Sequence, residues 1–152
     1  MYYILISNDS FTLSGTTKPA IEIIRDRLKH GRWPLYKSTG HLKKINIGDK
    51  CLLYVAGRQM YKQSFVTFFK IQNIENKKLL DVDNIKINIS NPKPVIELIF
   101  KRINNIKYVP IKDFLDILDY TKKRKSNKWG SLMMGGVKKI SKKDFEIIKN
   151  KL

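Results

Sequence analysis

The run DKCLLYVAG, residues 49–57, constrains the fold most. It has the length of a strand and is almost wholly apolar, so it reads as a buried strand. Gly48-Asp49 turns the chain into it and Ala56-Gly57 leads out. The opening segment YYILIS (2–7) is short, β-branched and aromatic, and it ends in the turn-forming NDS, so it reads as a second buried strand. Further strands are expected over 64–74, 81–89, 94–102 and 106–110; in 81–89, Ile85, Ile87 and Ile89 alternate with polar residues.

Helical spacing occurs in three places. Residues 16–31 place Ile21, Ile24 and Leu28 on one face, with Thr17 as the expected N-cap, Pro19 in the first turn and Gly31 just past the end. Residues 110–120 align Ile111, Phe114, Leu115 and Leu118. Residues 141–152 align Phe145, Ile148 and Leu152 behind a capping box, Ser141 with Asp144. The order strand, helix, about five strands, helices argues for a small bent sheet or barrel with helices packed outside. At 152 residues the chain is expected to form a single domain, 1–152.

Lys and Arg number 31 against 13 Asp and Glu, a formal charge of +18. A compact domain so charged repels itself, and polyanion binding is the usual compensation. Many Ile, Asn and Lys residues also fit a composition bias, but bias in Lys alone would not deplete acidic residues. Nucleic acid is therefore the expected partner. Cys51 is the one cysteine, an expected buried thiol, and with His30 and His41 it forms no zinc spacing. No metal or cofactor is expected. No apolar run approaches the ~20 residues of a membrane span, and the N-terminus lacks a signal-peptide n-region. A cytoplasmic monomer is expected.

Tyr3–Asn8, Trp33, Lys43–Asp49, Leu52–Gly57, Trp129–Gly136, Lys138-Lys139 and Ile140–Phe145, in that order and spacing, resemble the EVE domain. That domain belongs to the PUA-like superfamily and is related to YTH and ASCH domains. The resemblance covers nearly the whole chain. It implies an α+β fold, a PUA-like pseudo-β-barrel of about five to six strands flanked by helices. It also implies a pocket beside the barrel for a flipped-out, modified base, cytosine or adenine, in DNA or RNA. The first loop departs from the pattern: SNDS stands where a Lys-Ser-Glu-Pro-like sequence is common.

A base pocket needs stacking walls, a few hydrogen-bonding groups for the base edge and a basic rim. Trp33 follows a helix-ending Gly and precedes Pro34, which places it on a loop; Trp129 lies in a basic, Gly-bounded loop. These are the expected walls, and the alternative is that each plugs an end of the barrel. Ser7 and Asn8 could read a base edge or simply form a turn. Tyr54 could stack or pack in the core. Ala56 and Gly57 could admit a ligand close to the backbone or only turn the chain. Lys122, Lys123, Arg124, Lys125 and Lys128 are the expected phosphate contacts, with Lys37, Lys43, Lys44, Arg58, Lys138 and Lys139 as further candidates.

The expected function is non-enzymatic recognition of a modified base. The alternatives are a small ASCH-like amidohydrolase acting on modified nucleosides and a modification-blind RNA-binding domain. The carboxylates that a hydrolase would draw on, Asp9, Asp49 and Glu97, are scattered in the sequence and form no motif.

Overall fold

The computed structural model describes residues 1–11, 14–76, 94–122 and 129–152; the strand expected over 81–89 lies outside them. The chain opens with strand β1 (Tyr2–Ser7), the two-residue strands β2 (Ser10–Phe11) and β3 (Thr17–Lys18), helix α1 (Ala20–His30) and β4 (Arg32–Leu35). A 3-10 turn at Leu42–Lys44 leads to β5 (Lys50–Val55), β6 (Ser64–Lys70) and β7 (Asn73–Asn76). After these come β8 (Ile96–Ile99), β9 (Val109–Pro110), a 3-10 turn at Ile111–Phe114 and the short α2 (Asp119–Lys122). A 3-10 segment at Trp129–Met133, β10 (Val137–Lys139) and α3 (Lys142–Lys149) end the order.

The two most apolar runs lie side by side. β1 and β5 pair in parallel, from Tyr2 opposite Lys50 to Ser7 opposite Val55. Both are buried on both faces, which is why neither run alternates with polar residues. Tyr3, Leu5, Cys51, Leu53 and Val55 face one core, with Ile21, Ile24 and Leu28 of α1. Ile4, Ile6, Leu52 and Tyr54 face the other, with Phe145 and Ile148 of α3 and with Phe114 and Leu118. Burying one such side chain fully contributes roughly 1.5–3 kcal/mol. Burial pushes the Cys51 thiol and the Tyr54 hydroxyl well above their usual pKa ranges, so Cys51 is an inert core residue.

The five-stranded sheet runs β10-β1-β5-β6-β9, and every pair in it except β1-β5 is antiparallel. A register shift between Leu53 and Tyr54 bends the β5-β6 ladder. At Ile71-Gln72 the chain changes sheets: Ile71 N–H donates to Asp49 O, and Gln72 N–H donates to Ile99 O. β7 therefore joins a second sheet, β4-β8-β7. The architecture is mixed α and β, and the described strands form open sheets rather than one closed ring.

Other expectations change in detail. Thr17 does not cap α1; it pairs in β3, and Pro19 occupies the N-cap without a side-chain bond. The apolar period of 110–120 is folded as a 3-10 turn and a separate α2, not as one helix. Gly31 ends α1 in the left-handed region, φ 68°, and a Cβ there would meet Phe100 O at 2.5 Å. Ser141 caps α3, its Oγ accepting from Asp144 N–H at 3.0 Å. Asp144 does not complete that box. Its buried carboxylate accepts from the N–H groups of Asp119 and Tyr120, at 3.0 and 2.9 Å, and so caps α2.

Candidate nucleic-acid interface

Parallel pairing brings the C-terminal ends of β1 and β5 to one edge of the sheet. Ala56 N–H donates to Ser7 O at 2.9 Å, which fixes the two strand ends together. Ile6 N–H donates to Gly136 O at 2.7 Å, so residues 129–136 reach the same edge from β10. The 36–40 turn closes on it from another side, with Thr39 Cγ2 3.9 Å from where a Gly136 Cβ would lie. Ser7, Asn8, Ala56, Gly57 and the 129–136 segment thus form one rim, although they are far apart in sequence.

Asp9 organises this rim. Its Oδ1 accepts from Ala20 N–H at 2.8 Å, and its Oδ2 accepts from Arg58 N–H at 2.8 Å. One carboxylate caps α1 and holds the turn after β5. Gly57 is required by this contact, since a Cβ there would fall 2.0 Å from Asp9 Oδ1. The sequence carries no local signal for either partner, since Thr17 reads as the helix cap and Asp9 lies 11 residues from Ala20 and 49 from Arg58.

The rim residues differ in exposure. Asn8 and Arg58 are exposed and Ala56 is half-buried, whereas Ser7, Gly57 and Tyr54 are buried. Trp129 is half-buried and packs against the cluster that contains Tyr54, as Ala56 also does. Close to these residues in sequence, large apolar side chains stand exposed: Phe11 at 81%, Met134 at 65% and Met60 at 63%.

Trp33 is not on a loop. It lies in β4 opposite Leu98, only 2% exposed, in the core on the α1 side of the central sheet. The Arg27 guanidinium covers its ring at 4.5 Å, and burial lowers the pKa of Arg27. Trp33 and Trp129 belong to the two opposite cores, so they do not face each other across one cavity. Pro34 does not break this strand, because β4 is an edge strand, where proline is tolerated.

The cationic candidates divide between two ends of the sheet. Arg58 lies on the rim, Lys37 in the adjacent turn, and Lys138 Nζ reaches toward Gly135. Lys43, Lys44 and Lys139 lie toward the start of β1, where Tyr3 OH donates to Lys44 O and Tyr3 pairs with Lys139. Lys122 is exposed at the end of α2. Lys123, Arg124, Lys125 and Lys128 lie outside the described residues.

The three candidate carboxylates do not converge. Asp9 is on the rim. Asp49 opens β5, accepting from Asn46 N–H at 2.9 Å and from the Met1 ammonium. Glu97 lies in the second sheet, paired with Arg32 at 2.9 Å. Among the described residues no group of His, Cys, Asp and Glu could hold a metal ion, and no helix is long and apolar enough to cross a membrane.

No family model and no curated protein matches this chain. Among the solved structures that are similar is protein Atu2648 from Agrobacterium tumefaciens. The likeness has a TM-score of 0.53 at 12% sequence identity and covers 99% of this chain and 91% of that one. At that identity it is a likeness of fold alone.

Proposed function

We propose that this chain is a non-catalytic nucleic-acid-binding domain of PUA-like architecture. In this reading the strand-end rim of β1 and β5 holds one flipped-out base, a modified cytosine or adenine. The observation that carries it is the uncompensated positive charge. The few acidic groups are largely engaged within the fold. Asp26, Glu75, Glu97, Asp119 and Glu146 pair with Lys18, Arg32, Lys143 and Lys149. Asp9, Asp49 and Asp144 accept from backbone N–H groups. Arg58, Lys37 and Lys138 make no ion pair among the described residues. Mutual repulsion among such cations is relieved when phosphates come between them.

The rim also supplies what one base requires. Asn8 offers an exposed amide, Trp129 a partly open aromatic ring, and Phe11 and Met134 exposed apolar surface. The separate placement of Asp9, Asp49 and Glu97 favours binding over hydrolysis, which needs a carboxylate positioned with its partners.

The test is Trp129→Ala, titrated with oligonucleotides carrying modified or unmodified bases at matched salt. Loss of stacking should weaken binding by roughly 1–3 kcal/mol, more for the preferred modified base than for its unmodified twin. Phosphate contacts are blind to base modification, so that difference isolates the proposed base contact. A folded Trp129→Ala protein that binds every oligonucleotide as the parent does would overturn the base site.

A further inference from the structure

A second feature lies beyond the rim, along the turn that follows Arg58. Tyr61 and Gln63 both adopt φ 59°, a left-handed conformation uncommon for residues with a Cβ and rarest for bulky ones. The turn so formed lays Tyr61 on Tyr108, ring centroids 3.6 Å apart and planes 11° from parallel. Tyr61 remains 38% exposed. On the far side of the pair, Arg25 Nη2 donates to Tyr108 OH at 2.8 Å, which fixes the guanidinium beside the rings.

This aromatic pair borders a groove of about 690 Å³, lined by Arg25, Lys29, Asn104, Asn105 and Tyr108 over an apolar floor that includes Leu28. Both charged residues on its wall are cationic, and no carboxylate lines it. The two asparagines are exposed, and their amides can donate and accept. An exposed aromatic beside a fixed guanidinium, an exposed lysine and exposed amides has the chemistry of a single-strand site: rings stack bases of any sequence, and cations follow the backbone.

We propose that the Tyr61–Tyr108 pair and the Arg25–Lys29 groove bind a single-stranded nucleic-acid segment flanking the base held at the rim. This rests on the function proposed above and adds to it the strand's path, from Arg58 over Tyr61 into the groove. The site accounts for the left-handed turn, which presents Tyr61 rather than burying it. It also assigns a role to Arg25 and Lys29, which lie on the exposed side of α1.

The experiment is fluorescence anisotropy with labelled single strands of increasing length, comparing parent, Tyr61→Ala, Lys29→Glu and Trp129→Ala. The parent should bind long strands more tightly than very short ones. Tyr61→Ala and Lys29→Glu should each remove roughly tenfold of that gain, the stacking of one base or one phosphate contact, while leaving short-strand affinity unchanged. Lys29 is exposed, so its variant reports on the groove even if Tyr61→Ala perturbs the turn. Trp129→Ala should show the reverse, weak binding at every length with the gain retained. A length gain untouched by both groove variants, or one equally large for duplexes, overturns this site and leaves the rim reading intact. A parent that binds no strand at all overturns the rim reading, and this site with it.

Discussion

Arg27 lies over the Trp33 ring at 4.5 Å, and that contact decides what this tryptophan does. One side of the ring meets a guanidinium, and the rest of the side chain is packed among Leu35, Leu98 and the α1 side of the core. Trp33→Ala should therefore cost roughly 3–5 kcal/mol of stability, as large core truncations do. The folded fraction should bind oligonucleotides as the parent does. Urea unfolding followed by a binding titration checks both halves, and weakened binding at unchanged stability would return Trp33 to the ligand site. At this scale the sequence was half legible. The residue types on the rim were visible, because strand ends and Gly turns mark themselves. Trp33 was misplaced because its neighbours, Gly31 and Pro34, signal a loop everywhere except on an edge strand. Tyr61 and Tyr108 were missed because nothing in either local sequence announces a stack between residues so far apart.

Elements were legible where the local signal was also the final one. β1, β5, α1 and α3 follow from apolar runs and helical period, and tertiary contacts only confirm those preferences. The ends and caps were less legible because their partners come from elsewhere. Ser141 and Asp144 illustrate the difference. Ser141 caps its own helix, whereas Asp144, in the same motif, caps α2 by accepting two N–H bonds from Asp119 and Tyr120. Ser141→Ala should cost on the order of 1 kcal/mol, an ordinary cap loss. Asp144→Ala should cost more, roughly 2–3 kcal/mol, since it leaves two part-buried donors without their acceptor. Denaturant midpoints at constant m-value check the order. Equal costs for the two variants would show that Asp144 contributes no more than a local cap.

Across the whole molecule, charge and topology act together. Among the described residues the fold engages most carboxylates in backbone bonds or ion pairs and leaves cations around the β1–β5 edge and along the 101–108 segment. The proposed partner class rests first on composition, since +18 on 152 residues repels itself and a polyanion would relieve it. Composition does not place the candidate rim, because that depends on which strand ends the parallel pairing brings together. The open sheets also differ from the expected barrel, because the handover at Ile71-Gln72 sends β7 into a second sheet. The most direct test of nucleic-acid binding at the rim is the affinity for a single-stranded oligonucleotide measured across a series of salt concentrations, for the parent and for Arg58→Gln with Lys138→Gln. The parent should bind tightly at low salt and weaken steeply as salt rises. The double variant should lose about 0.7 from the slope of log K against log salt for each phosphate contact removed. Absence of binding at low salt, or a slope identical in parent and variant, would contradict the account.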